Sequence, residues 1–222
     1  MSKQFVIVTA GGSGRRMGST VPKQFLLLNG KPVIMHSIQA FYQYSSEISI
    51  VVVLPESHMD YWHQLCSKHH FEIPHRICPG GECRFKSVFA GLELAGKGLI
   101  AVHDAVRPLV SNKLIEHCFA VAEEKGNAVP AVHVKDSVRK IESSGSYPVS
   151  REDLRLVQTP QVFTSDILIP AYQQSEKSHF TDEASVAEAH GCKINLVDGE
   201  EQNIKITSPE DMLVAEALLK VF

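Results

Sequence analysis

The sequence predicts an α/β fold, a mostly parallel sheet with helices on both faces plus an extended β-arm. Three observations carry that prediction. Phe5-Val-Ile-Val-Thr9, Ile48–Leu54 and Leu99–His103 are short, nearly continuous apolar runs rich in β-branched residues, as in strands buried on both faces. Stretches with helical apolar periodicity separate them, at the spacing of strand–helix–strand units. Between His133 and Leu156 this rhythm breaks, and the chain turns polar and extended.

Taken in order, the first strand over residues 5–9 stops at Ala10-Gly-Gly-Ser-Gly14, and Pro32–Tyr44 shows a helical pattern through Val33, Ile34, Ile38 and Phe41. The strand over Ile48–Leu54 is closed by Pro55. Ser57–His70 reads as a helix, Ile73–Cys78 as a short strand, and Pro79-Gly80-Gly81 as a break before a helix over Arg84–Ala95. Leu99–His103 leads into Asp104-Ala-Val-Arg-Pro108. Ser111 caps a helix to Lys125 that Gly126 ends, and Ala128–Val132 resumes strand. Val134–Ile141 alternates, Ser143–Ser146 is a turn cluster, and Tyr147–Leu156 is again extended, which predicts a two-stranded arm over about 133–156. An isolated hairpin is marginal in water, so the arm is expected to pack on a second subunit. Helices over Ser165–Gln174 and Asp182–His190, a strand over Ile194–Val197 and a helix opened by Ser208-Pro-Glu-Asp211 complete a single domain, residues 1–222.

The chain has 222 residues, 44% hydrophobic and 21% charged, with a net charge of −3. Those values exclude fibrous and disordered classes. No apolar run approaches the roughly 20 residues of a membrane span, and Met1-Ser2-Lys3-Gln4 has no signal-peptide layout, so a cytoplasmic location is expected. Five scattered cysteines argue against a disulfide framework, and His75, Cys78 and Cys83 match no paired zinc-knuckle spacing. The first 46 residues contain no acid but carry Lys3, Arg15, Arg16, Lys23 and Lys31, so that segment is +5 and the remainder −8. No extended basic stripe follows. A small polyanion fits this asymmetry better than nucleic acid.

Ala10-Gly-Gly-Ser-Gly-Arg-Arg-Met-Gly18 directly follows the first strand, where glycines let backbone N–H groups approach phosphate oxygens. It is neither a Walker A loop, since Ser19 rather than Lys follows Gly18, nor a dinucleotide fingerprint, since Met17 takes the third glycine position. Its arginines and the following Pro22-Lys23-Gln24 point to concentrated negative charge such as a triphosphate. His103-Asp104-Ala-Val-Arg107-Pro108 lies at the C-terminal end of a buried strand, where ligands collect in open α/β sheets. There Asp104 can hold a ribose hydroxyl or hydrated Mg2+, and Arg107 can pair with it or with phosphate; a structural Asp–Arg pair is the plainer alternative. Gly80-Gly81-Glu82-x-Arg84-x-x-Ser87 feeds a helix N-terminus and can read a base edge, or be an ordinary turn. Thr181-Asp-Glu-Ala-Ser185, taken alone, can simply be a helix cap with acids in its first turn.

In order along the chain, the glycine loop, Pro-Lys-Gln, Gly-Gly-x-x-Arg-x-x-Ser-Val, His-Asp-Ala-x-Arg-Pro, Thr-Pro-Gln-x-Phe, Thr-Asp-Glu-Ala-Ser and Asn-Ile-Lys-x-Thr closely resemble the 2-C-methyl-D-erythritol 4-phosphate cytidylyltransferase family, essentially end to end. The resemblance implies a Rossmann-like nucleotidyltransferase fold, a homodimer interlocked by the arm, Mg2+, and transfer of CMP from CTP to the sugar phosphate. It assigns Arg16 and Lys23 to the triphosphate and transition state, and Ala10, Gly11, Gly12, Gly81, Glu82 and Ser87 to the cytosine nucleotide. Asp104 and Ala105 fall on ribose and metal-side positions. Arg107, Ser137, Arg151, Thr159 and Lys205 fall on sugar-phosphate positions, with Ser137 and Arg151 on the arm serving the partner's site. Gly11, Glu82 and Ser137 depart from the more frequent alanine, aspartate and threonine, without loss of charge. A ribitol 5-phosphate cytidylyltransferase shares the glycine loop, Pro-Lys-Gln and His-Asp-Ala-x-Arg-Pro and is the alternative.

Overall fold

Alternate residues of the first strand, β1 (Gln4–Thr9), serve two separate cores. Val6 and Val8 face one layer, with Ile34, Ile38 and Phe41 of α1 (Val33–Tyr44) and Leu114, Ile115 and Phe119 of α4 (Asn112–Lys125); Phe5 and Ile7 face the other, with Phe85, Val88 and Leu92 of α3 (Arg84–Leu92). A period of two along an all-apolar strand therefore buries both faces. The computed structural model from which these contacts come describes residues 2–12, 21–174 and 180–220.

The remaining strands are β2 (Leu27–Leu28), β3 (Lys31–Pro32), β4 (Ser49–Leu54), β5 (Arg76–Pro79), β6 (Leu99–Asp104), β7 (Asn127–His133), β8 (Val138–Glu142), β9 (Gly145–Val149), β10 (Arg155–Val157), β11 (Gln161–Thr164) and β12 (Leu196–Asp198). The remaining helices are α2 (Met59–Lys68), α5 (Ser165–Gln174), α6 (Glu183–Ala189) and α7 (Pro209–Leu219). Among the described residues the main sheet runs β10-β7-β11-β6-β1-β4-β5, with β12 also on β7. β1 pairs in parallel with β4 and β6, as β5 does with β4 and β12 with β7, whereas β10 and β11 run antiparallel to their neighbours. From β1 the chain steps outward to β4 and β5, then returns to lay β6 on the other side. That reversal is a topological switch point, which opens a crevice beyond the C-terminal strand ends.

The expected elements recur with shifted bounds. Gly126 ends α4 in the left-handed conformation at φ 88°, as a helix-ending glycine does. Gly91 permits close packing of α3 on the sheet: a Cβ there would lie 2.6 Å from Ile7. Three expectations are corrected. The segment from Ser57 begins as a 3-10 turn over Glu56–His58 before α2, and the strand expected over Ile73–Cys78 pairs only from Arg76 to Pro79. The hairpin of the arm is β8 with β9 alone, from Val138 to Val149. Arg155–Val157 leaves it and joins β7, because the backbone groups of β7 at Ala131–His133 would otherwise be an open edge. The antiparallel insertion β11 is an element that the sequence patterning did not isolate.

Candidate active site

A cavity of about 330 Å³ opens at the switch point, lined by the ends of β1 and β6, the 81–84 loop and a late strip at Lys205. Ala10 is fixed there by its N–H to the Val53 carbonyl at 2.9 Å, and Gly11 and Gly12 follow along the wall. Across from them, Gly81 requires glycine, since a Cβ would lie 2.3 Å from Lys86 Cβ and about as close to its backbone as 3.2 Å. Ser87 turns its hydroxyl onto the Cys83 carbonyl at 2.9 Å, which holds the loop against the start of α3.

Asp104 ends β6 and is the carboxylate around which the cations gather. Lys205 Nζ lies 2.7 Å from its Oδ2, Arg107 Nε 3.7 Å from the same oxygen, and Arg84 Nη2 3.9 Å from Oδ1. Burial pushes this carboxyl up, but Lys205, Arg84 and Arg107 together outweigh it and hold it well below the usual carboxylate range. Asp104 is therefore ionised at every physiological pH. Behind it, the Asp104 N–H donates to Thr159 Oγ1 at 3.1 Å, and Thr159 meets His103 Nδ1 at 3.2 Å. His103 Nε2 faces the Arg107 carbonyl at 3.1 Å and so carries the proton, leaving Nδ1 to accept from the Thr159 hydroxyl. Burial pushes the His103 pKa down to about 4, which keeps this neutral tautomer in place.

The strip 203–206 braces the cations. Arg107 donates to the Asn203 carbonyl at 2.7 Å, Asn203 Nδ2 to the Thr159 carbonyl at 2.9 Å, and Lys23 Nζ to the Ile206 carbonyl at 3.0 Å. Ile206 N–H in turn binds the Val106 carbonyl at 2.8 Å. Burial pulls the Arg107 guanidinium below its usual value while Asp104 works against that.

Of the residues read from sequence, Ala10, Gly11, Gly12, Lys23, Gly81, Glu82, Ser87, Asp104 and Lys205 line the cavity. Ala105, Arg107 and Thr159 stand behind the lining: Ala105 gives its N–H to the Thr9 carbonyl and receives the Ser37 hydroxyl on its own carbonyl, each at 3.0 Å. Ser137 and Arg151 flank the hairpin away from the lining, and Arg151 bonds to the Lys135 carbonyl. Arg16 lies outside the described residues. Sequence reasoning missed Gln24, which lines the cavity and donates to the Ala10 carbonyl at 2.7 Å, and it missed the reach of Glu183. Glu183 is wholly buried and grips both terminal nitrogens of Arg84, with Nη2 to Oε2 at 3.0 Å. Its position inside a helix-cap motif concealed a partner 99 residues away.

Glycine-lined backbone facing a ring of cations around one ionised carboxylate, at the switch point of an α/β sheet, defines the class: a nucleotide-binding transferase site. The family model described as "2-C-methyl-D-erythritol 4-phosphate cytidylyltransferase" matches residues 4–221. A relative of that name from Bacteroides thetaiotaomicron is 48% identical, covering 98% of this chain and all of that protein, and one from Bacteroides fragilis is 49% identical over 96% of this chain and 98% of its own. Among solved structures, 4-diphosphocytidyl-2C-methyl-D-erythritol synthase of Anaerococcus prevotii superposes with a TM-score of 0.83 at 27% identity, over 99% of this chain and 96% of that one. The Thermus thermophilus cytidylyltransferase gives 0.80 at 30% identity, over 99% and 100%. The chain belongs to the 2-C-methyl-D-erythritol 4-phosphate cytidylyltransferase family. The ribitol 5-phosphate alternative is not favoured by these matches.

Proposed function

We propose that the cavity is where the chain transfers CMP from CTP to 2-C-methyl-D-erythritol 4-phosphate and releases pyrophosphate. The observation that carries the reading is the gathering of Lys205, Arg107 and Arg84 on Asp104 opposite the Gly11–Gly12 wall, with Lys23 reaching the same strip. A phosphate oxygen of the acceptor attacks the α-phosphorus of CTP, and the bond to the β-phosphate oxygen breaks. The attacking group is already an anion, so no general base is required. The barrier is repulsion between anions, which fixed cations offset. Lys23 and Arg16 serve the triphosphate and the transition state. Gly81, Glu82 and Ser87 read the base, Ala10 to Gly12 offer backbone to the nucleotide, and Asp104 with Ala105 behind it serves the ribose side. Lys205, Arg107 and Thr159 belong to the acceptor side.

Mg2+ fits this donor set. It is commonly held by one or two carboxylates plus substrate phosphates, and the described lining offers the ionised Asp104 and, farther out, Glu82. Asp104 would hold it. When bound, the ion supplies positive charge to the phosphates.

The β8–β9 hairpin supports a homodimer as the working form. Ile141 is 83% exposed and, among the described residues, the hairpin pairs with no other strand, which leaves apolar surface for a second copy to cover. Ser137 and Arg151 then act in the partner's site. Among the described residues no helix is long and apolar enough to cross a membrane. The test is pyrophosphate release with CTP and Mg2+, offering 2-C-methyl-D-erythritol 4-phosphate and ribitol 5-phosphate in parallel. Release with the branched tetritol phosphate alone is expected; release with ribitol phosphate alone overturns the acceptor assignment.

A further inference from the structure

We propose that Glu183 is a positioning residue for the transfer: it holds the Arg84 guanidinium off Asp104 and so keeps one Asp104 oxygen open to the nucleotide. The inference rests on the reading of Asp104 as a nucleotide-side residue.

Arg84 occupies the first turn of α3, where a cation opposes the helix dipole and an acid is the stabilising choice. Helix stability therefore does not explain it. Its side chain is 26% exposed and lines the cavity. Two carboxylates compete for its terminal nitrogens. Glu183 takes both, and Tyr172 donates its hydroxyl to Glu183 Oε1 at 3.2 Å, which fixes that carboxylate in place. Asp104 Oδ1 is left 3.9 Å from Arg84 Nη2, beyond hydrogen-bond distance. The other Asp104 oxygen is committed to Lys205 at 2.7 Å. Oδ1 is thus the oxygen that remains for a ribose hydroxyl or a cation.

Glu183 cannot follow Arg84 if the guanidinium moves. Asp182, the preceding residue, accepts from Gln161 Nε2 at 3.0 Å, and the following Ala184 N–H donates to Gln161 Oε1 at 2.9 Å, so both flanks are bolted to the start of β11. A neutral side chain at 183 leaves Asp104 as the nearest carboxylate to Arg84. A move of about 1 Å then gives a direct hydrogen bond and occupies Oδ1.

The experiment is calorimetric titration of the full chain with CTP and Mg2+, without acceptor, beside steady-state kinetics. Glu183→Gln is expected to weaken CTP binding about tenfold, the scale of one charge-assisted hydrogen bond. KM for CTP should rise in step, while kcat at saturating CTP changes much less. Arg84→Met added to Glu183→Gln removes the intruding guanidinium and should recover a large part of the affinity. Wild-type CTP affinity in Glu183→Gln, or a double variant no tighter than the single one, overturns the proposal. Should Glu183→Gln fail to fold by circular dichroism, Glu183→Asp draws the carboxylate back by one methylene and should give a smaller rise in the same direction; an unchanged affinity there also overturns it. Asp104→Asn separates the two readings. If it binds CTP as wild type does, the assignment of Asp104 itself fails, whereas weakened binding there with normal binding in Glu183→Gln rejects this inference alone.

Discussion

The cavity and the arm are built on opposite plans. Around the cavity, the fixing contacts join residues far apart in sequence: Arg107 to Asn203 across 96 residues, Arg84 to Glu183 across 99, Lys23 to Ile206 across 183. In the hairpin, Arg139 bonds to Ser146 seven residues away and Tyr147 to Glu142 five away, and most side chains are exposed. One region is rigid because the whole fold holds it. The other holds itself, and only weakly. The difference teaches that a single chain organises the cavity in advance, whereas the hairpin flanked by Ser137 and Arg151 draws on little beyond its own few residues.

Breaking the organised half should cost most. Lys23→Ala is expected to lower kcat by about 10²-fold or more, the scale of removing one donor aimed at developing charge, with the fold and CTP-free stability retained. Pyrophosphate release measures it, and near-wild-type turnover would remove Lys23 from the mechanism. Acid tests the same half through stability. His103 is held neutral in the folded chain at a pKa of about 4, against about 6.5 when unfolded, so below pH 6.5 the unfolded chain binds a proton that the folded chain refuses. Stability should then fall as the pH drops from about 6.5 to 4, by roughly 3 kcal/mol from this group, and level off below. Burial depresses His36 and His75 in the same direction. Urea unfolding at pH 7 and pH 5 reads the loss, and a flat profile would contradict a buried neutral His103.

The arm should respond differently. Arg151→Ala is expected to raise KM for the acceptor about tenfold while leaving CTP affinity in place, since a charge-assisted contact is removed from one substrate only. Equal effects on both substrates would erase the division drawn here. Smallest of all, Ile141→Ser should change the stability of an isolated chain by no more than about 0.5 kcal/mol, as exposed substitutions do. It should nonetheless shift the mass measured by light scattering toward the monomer, and an unchanged mass would take Ile141 out of any dimer contact.

Much of this was legible in the sequence, and the reason is local. Buried parallel strands announce themselves as continuous apolar runs, and Ser111, Gly126 and the Ser208–Asp211 turn mark helix ends through chemistry contained within four residues. The glycine walls and Asp104 were legible because close backbone approach and strand-end carboxylates leave compositional traces. What escaped was decided at long range. Arg155–Val157 has the polarity of an arm and joins the sheet only because β7 needs a partner. Glu183 looks like a solvated acid opening a helix; only the fold shows it buried on Arg84. The strip at Asn203 reads as a polar interruption, and its bracing of Arg107 and Thr159 is a property of the assembled chain.

That strip also has a consequence in time. Synthesis runs from Asp104 toward Lys205, at roughly 5–20 residues per second. For several seconds the nascent chain carries β1, β4 and β6 but lacks the carbonyls that seat Lys23 and Arg107, and the ammonium that faces Asp104. The bracing of Lys23 and Arg107 and the pairing of Asp104 with Lys205 are thus among the last contacts that the emerging chain can make.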